Sequence, residues 1–232
     1  MNTAAKPLVV DIWSDFVCPW CWVAKRRFDK ALAAFPYSDL VQVNLRAYRI
    51  APNYQPESFA AALLKKFRDP AAAQGMMDAV RQHAAAEGLD YRFDTMQFGD
   101  TIDAHMLVKA VTDEAVQKQL VEALYEQSVT YGASLFERAS LERIAIQAGV
   151  PARLVSDAWT MPGLRQLVQR DERTAANIAS GVPLFLFSDG THISGAQAQY
   201  VFAEALERLY VGSQATLSDQ QGQVCGLDGC SI

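Results

Sequence analysis

Phe16-Val17-Cys18-Pro19-Trp20-Cys21-Trp22 decides how the rest of the chain is read. It follows a short β-rich run, Leu8-Val9-Val10-Asp11-Ile12-Trp13, and precedes a stretch of helical periodicity. There Phe28, Ala31, Leu32 and Phe35 recur at helical spacing, with Lys25, Arg26, Arg27 and Lys30 mainly on the other side. Two cysteines separated by two residues set their sulfurs one helical turn apart on one face, within reach of a disulfide. At this strand-to-helix junction Cys18 stands at or near the N-cap, where unpaired backbone N–H groups and the helix dipole favour a thiolate. Pro19 is tolerated there, because a first-turn N–H has no intrahelical partner. The thiolate is the reactive form, so Cys18 is the expected nucleophile. Cys21, deeper in the helix, is the expected resolving thiol. Half of a zinc site and a pair of inert buried thiols are the competing readings. Zinc knuckles sit in turns or hairpins, whereas this pair opens a helix directly after a strand, and the redox reading is preferred.

Working outward, Pro36 stops the helix and Leu40 to Ile50 reads as a second strand, Val41, Val43 and Leu45 alternating with Gln42, Asn44 and Arg46. Strand, helix, strand makes a βαβ unit. From about 56 to 178 the pattern is helical with no convincing strand. Phe59, Leu63 and Phe67 fall at i, i+4, i+8; a helix from Pro70 to Glu87 ends at Gly88; Thr101 begins another; Ser140 is the expected N-cap of the helix over 141–148. Strand character returns at Leu184-Phe185-Leu186-Phe187, which meets Thr191-His192-Ile193 across Ser188-Asp189-Gly190, a hairpin signal. A last helix covers about 197–211. The order βαβ, helical block, ββα predicts an α/β chain with a thioredoxin fold interrupted by a large all-helical insertion. The expected division is 1–55 with 179–212 as a discontinuous thioredoxin-like domain, 56–178 as the insertion, and 213–232 as a flexible tail. Gly181 and the 51–56 segment, with Pro52 and Pro56, are the expected joints of a helical block that moves as a unit over the active face.

The 232 residues, half of them hydrophobic, suffice for a sizeable core. A net charge of −5 with interspersed signs gives no phosphate-tracking surface, so nucleic acid is not an expected partner. The N-terminal apolar run is too short for a signal peptide and Asp11 interrupts it; no stretch of about 18 apolar residues predicts a membrane span. The expected location is the cytoplasm, and no membrane contact is expected. In that reducing setting the four cysteines, Cys18, Cys21, Cys225 and Cys230, read as catalytic, redox-sensing or metal-binding rather than as a static framework.

Four stretches together resemble one family: Ser14-Asp15-Phe16-Val17-Cys18-Pro19-Trp20-Cys21, Thr101-Ile102-Asp103-Ala104-His105, Gly181-Val182-Pro183 and Ser194-Gly195-Ala196-Gln197. The chain is similar to the DsbA-like thioredoxin domain, in the branch of FrnE-type proteins and 2-hydroxychromene-2-carboxylate isomerases, with the kappa-class glutathione transferases as relatives in fold. The resemblance implies a protein-disulfide oxidoreductase or isomerase whose inserted helical domain covers the active face. It also implies that Pro183 is cis and faces the dithiol, turning Val182 outward to pair with an extended substrate chain; read alone, Pro183 is an ordinary proline opening a strand. The isomerases generally carry Ser where Cys18 stands. The intact pair favours dithiol exchange over glutathione-dependent isomerisation of a small molecule or polyketide tailoring, which stay as the alternative.

No bound cofactor is expected, with glutathione kept as a candidate co-substrate. The expected partners are disulfide-containing or thiol proteins, and a homodimer is compatible with the sequence. Trp20, between the cysteines, is expected to shield the disulfide and touch substrate, whereas Trp22 reads as core. Asp15 reads first as a capping or turn residue and second as a proton relay for Cys21. His105 reads first as a packing residue and second as a wall of the substrate cleft. Asp11 either lies beneath the dithiol or bonds backbone at a strand end. His83 and His192 have no evident partner, and Met76 and Met77 read as core or cleft lining. Cys225 and Cys230, with four residues between them, two of them glycine, are expected to form a reversible auxiliary disulfide exchanging with Cys18–Cys21; a passive clip is the alternative. A metal site of all four cysteines would need the tail folded back onto the active site, and no metal is expected.

Overall fold

The computed structural model describes residues 8–222. Four strands form one sheet: β1 (Leu8–Ser14), β2 (Val41–Ala47), and, defining β5 and β6 by their place in the chain, β5 (Leu184–Phe187) and β6 (His192–Ser194), in the order β2-β1-β5-β6. β1 runs parallel to β2, with Val10 opposite Val43. It runs antiparallel to β5, with Val10 opposite Phe187. The Asp189-Gly190 turn joins β5 to β6, Gly190 taking a φ of 87° that a side chain would resist. This is the expected α/β thioredoxin arrangement, and the long intervening segment is largely helical.

Alternation along β1 gives the sheet two apolar faces. Leu8, Val10 and Ile12 pack against Ala24 and Phe28 of α1 (Cys21–Ala34), against Phe35 just past its end, and against Phe202, Leu206 and Leu209 of α9 (Gln199–Gly222). Burying each of the large apolar side chains in this layer stabilises the fold by about 1.5–3 kcal/mol. On the other face Trp13 meets Leu184 and Ala175, the latter on α8 (Leu164–Ala176). The Trp13 Nε1–H donates to the Asp171 carbonyl at 2.8 Å, and the Asp171 carboxylate accepts the Ala47 N–H at 3.0 Å. The last helix of the inserted block therefore also serves as a layer over the sheet.

The block itself holds α2 (Phe59–Phe67), α3 (Pro70–Ala86), α4 (Ile102–Ala110), α5 (Glu114–Val129), α6 (Arg138–Gln147) and α7 (Ala152–Ala158). Ser58 caps α2 through the Ala61 N–H, Asp69 caps α3 through the Ala71 N–H, and Asp113 caps α5 through the Val116 N–H. Each cap is worth about 1 kcal/mol. Gly88 ends α3 with φ 78°, and the Leu89 N–H closes the turn onto Ala84, as the sequence predicts.

Four expectations need correction. The block does contain strands: β3 (Glu57–Ser58) pairs antiparallel with β4 (Gln97–Phe98), pieces too short to leave a period in the sequence. Ser140 lies inside α6, which starts three residues earlier behind Glu137; its side chain is buried against the block and takes a hydrogen bond from Arg143. α1 starts at Cys21 with Trp20 as N-cap, not at Pro19. α9 continues past 212 to Gly222, where composition suggested a coil.

Candidate active site

Two tight turns carry the chain from β1 into α1. The Cys18 N–H bonds the Asp15 carbonyl at 3.2 Å, and the Cys21 N–H bonds the Cys18 carbonyl at 3.2 Å. Cys18 thus stands two residues ahead of the N-cap rather than on it. The two cysteines are separate thiols, 7% and 1% exposed respectively. Burial, then the hydrogen bond and charge of Cys18, push the Cys21 thiol well above its ordinary range.

Cys18 opens on a cleft of about 800 Å³ between the sheet domain and α2–α3, and Cys21 lies behind it. Pro19, Trp20, Tyr48, Phe59, Met76 and Val182 are among its walls. Among the described residues the charged groups on its lining are Lys65 and Lys66, and no carboxylate lines it. Lys65 is engaged by Glu57 at 2.5 Å. Three exposed apolar side chains, Ile50, Tyr54 and Phe67, are among the cleft walls.

The Val182–Pro183 peptide is cis, and Val182 reaches the dithiol: the Cys18 thiol donates to the Val182 carbonyl at 3.8 Å. The Ser194–Gln197 stretch braces this loop. The Gly195 N–H donates to the Pro183 carbonyl at 2.8 Å, and Arg27 of the cysteine helix donates to the Ala196 carbonyl at 2.8 Å. Val182 thus meets the sulfur directly, and the Ser194–Gln197 stretch ties the loop that carries it to the cysteine helix.

Asp15 and His105 stand together; the Asp15 carboxylate is not the helix cap of its first reading, whereas His105 is the packing residue of its first reading. Asp15 is fully buried and caps no helix; it accepts from the Ile50 N–H at 2.7 Å and the Thr101 hydroxyl at 2.6 Å. A buried carboxylate needs such partners, and these tie the exit of β2 and the start of α4 to the cysteine loop. No described hydrogen bond joins its carboxylate to Cys21. The His105 Nε2–H donates to the Tyr48 carbonyl at 3.1 Å, 3.5 Å from Asp15, with its ring against Phe16. His105 is therefore a packing residue behind the site and not a wall of the large cleft. Asp11 is not beneath the dithiol either: it accepts from Arg46 and Asn44 on β2, at 2.8 and 3.0 Å.

Several neighbours of the dithiol had no signal in the sequence. The Tyr91 hydroxyl donates to the Pro19 carbonyl at 2.9 Å, and the Tyr125 hydroxyl to the Asp15 carbonyl at 3.3 Å. Both rings flank Trp22, at 5.7 and 6.0 Å between centroids. Burial, then the cysteines nearby, pushes both phenols well up. The Trp22 Nε1–H donates to Glu122 at 3.0 Å, where Lys25 and Arg26 also pair. His83 is not without partners: its ring lies 5.5 Å from that of Trp20, and Arg27 donates to its Nδ1 at 3.2 Å. Met76 lines the cleft, and Met77 is core. His192 is exposed on β6.

Cys225 and Cys230 lie outside the described residues. Among the described residues no group of three or more His, Cys, Asp or Glu is placed to hold a metal, and no helix is long and apolar enough to cross a membrane.

Comparisons with known proteins agree with this arrangement. The chain is 33% identical to a probable DsbA oxidoreductase from Streptomyces coelicolor whose crystal structure superposes with a TM-score of 0.81, covering 97% of this chain and 99% of that one. A 2-hydroxychromene-2-carboxylate isomerase shares the fold at 13% identity and a TM-score of 0.64, over 94% of this chain and 100% of that one. So does the cytosolic disulfide reductase DsbM from Pseudomonas aeruginosa, at 16% identity and 0.61, over 90% and 100%. Residues 9–207, from the first strand into the last helix, match the DSBA-like thioredoxin domain, and the chain belongs to that family.

Proposed function

We propose that this protein catalyses thiol–disulfide exchange on polypeptides, with Cys18 attacking and Cys21 resolving. One observation carries the reading: Cys18 opens on the cleft beside the Val182 carbonyl, while Cys21 lies behind it with its thiol held protonated. In the reducing direction the Cys18 thiolate attacks one sulfur of a substrate disulfide, forming a mixed disulfide and expelling the other substrate sulfur as a thiolate. Cys21 then loses its proton and attacks Cys18. The second substrate thiol leaves, and the two electrons gained by the substrate leave a Cys18–Cys21 disulfide behind. Run backwards, the same steps oxidise a substrate dithiol.

The apolar cleft supports a polypeptide substrate. A segment with apolar side chains around its cysteine can bury them on Tyr48, Phe59 and Met76 while its backbone extends along Val182. The setting is the cytoplasm, where one fold neighbour is named as a disulfide reductase. A second reading, glutathione as co-substrate in small-molecule isomerisation, draws on the two lysines lining the cleft and on the isomerase fold neighbour.

The test is reduction of insulin and reoxidative refolding of a scrambled disulfide protein. Wild type accelerates one or both well beyond glutathione alone. Cys18→Ser abolishes the effect, and Cys21→Ser accumulates mixed disulfides with the substrate. No acceleration in either assay, together with turnover of a small glutathione-dependent substrate, would establish the second reading instead.

A further inference from the structure

Tyr91 and Tyr125 come from the inserted helical block, yet their hydroxyls reach the main chain on both sides of Cys18. Tyr91 lies between α3 and β4 and donates to Pro19, directly after the nucleophile. Tyr125, on α5, donates to Asp15, whose carbonyl also receives the Cys18 N–H. Neither phenol is held by its hydroxyl alone. The Tyr91 ring packs on Trp22 and Phe93, and that of Tyr125 on Phe16 and Trp22. Both side chains are buried.

We infer that Tyr91 and Tyr125 are positioning residues for the dithiol: a two-point clamp through which the helical insertion sets the balance between the thiol and disulfide states of Cys18–Cys21. Both hydrogen bonds are present with the two sulfurs apart as thiols. The two bonds fix the carbonyls of residues 15 and 19 at the places they take when the sulfurs are thiols, and ring packing holds the phenols, so any displacement of Cys18 on closing the disulfide weakens them. The clamp therefore favours the dithiol. Both hydrogen bonds are buried, where weakening one costs more than it would at the surface. The phenols lie within electrostatic range of both sulfurs.

The inference rests on the dithiol reading above. The measurement is the equilibrium of the full-length protein with reduced and oxidised glutathione, following Cys18 and Cys21 by alkylation and mass. If wild type forms no Cys18–Cys21 disulfide in any such buffer, the functional reading itself fails. Where wild type does form it, Tyr91→Phe and Tyr125→Phe, which keep the rings, each shift the equilibrium toward the disulfide. The expected shift is roughly three- to tenfold, the scale of one buried hydrogen bond. Melting temperature alone does not separate the clamp from ordinary packing; the redox equilibrium does. Should one variant fail to fold, the other still decides. An equilibrium within twofold of wild type in the folded variants, or a shift toward the dithiol, overturns the clamp and leaves the exchange activity standing.

Discussion

The thiol of Cys18 donates to the main-chain carbonyl of Val182 across 3.8 Å, although 164 residues separate them along the chain. A backbone carbonyl at that position is carried by the fold and not by a side chain. The nucleophile's surroundings therefore depend on how the two halves of the sheet domain close around the insertion. A substitution can disturb this contact without touching either residue.

The cleft can be blocked while leaving the sulfurs untouched. Ala62 lines it from α2. Ala62→Trp is expected to slow reduction of insulin by tenfold or so, on the order of one lost apolar contact surface. Reduction of a small soluble aromatic disulfide should stay near the wild-type rate. Equal losses on both substrates would show that the cleft is not where polypeptides bind.

The reduced protein should weaken at alkaline pH. Burial raises the Cys21 thiol in the folded state. The folded chain then keeps a proton that the unfolded chain releases above about pH 8.5. Stability from this source is fully present below that value and is lost as pH rises toward the folded value. The raised phenols of Tyr91 and Tyr125 add losses of the same sign above about pH 10. Urea midpoints at a series of pH values should fall more steeply for wild type than for Cys21→Ala between pH 8.5 and 10.

Acid should act through Glu122 with the opposite sign. Burial works to raise its carboxyl, but Lys25, the Trp22 indole and Arg26 overcome that and hold it below the usual range. Its contribution is present above about pH 4.3 and is lost as pH falls through the depressed folded value. Glu122→Gln should be less stable at neutral pH and converge on wild type as pH drops toward 3. Chemical denaturation at both pH values measures the difference. Parallel curves would remove the carboxylate from the account.

Asp15 should matter for stability before it matters for chemistry. Asp15→Ala leaves the Ile50 N–H and the Thr101 hydroxyl without their acceptor in a buried place, costing about 2–5 kcal/mol. Thr101→Val removes one donor and should cost about 1–2 kcal/mol. Both would show in denaturation curves. If Asp15→Asn folds normally yet loses exchange activity outright, the carboxylate has a chemical role beyond tying the loops together.

Much of this protein was legible in its sequence because the signals are local. The β-rich run from Leu8 to Trp13, the Cys-Pro-Trp-Cys turn, the helical spacing of Phe28 to Phe35 and the Asp189-Gly190 turn each follow from a few neighbouring residues. Together they gave the fold class and the position of the dithiol. Even within that reach, the start of α1 was misjudged by two residues, because proline at a helix start is allowed without being the start.

What tertiary structure alone decided is which distant groups meet the sulfurs. Tyr91 stands 72 residues from Pro19, Thr101 stands 86 from Asp15, and Tyr125 stands 110 from the carbonyl it bonds. Nothing in the spacing of a phenol or a hydroxyl along a chain says which buried carbonyl or carboxylate it will satisfy. That is settled when the insertion packs onto the sheet domain and every polar group left without water must find a partner. The same packing made the Asp15 carboxylate the buried tie between the cysteine loop, β2 and α4, and decided between the two readings of His105 in favour of packing.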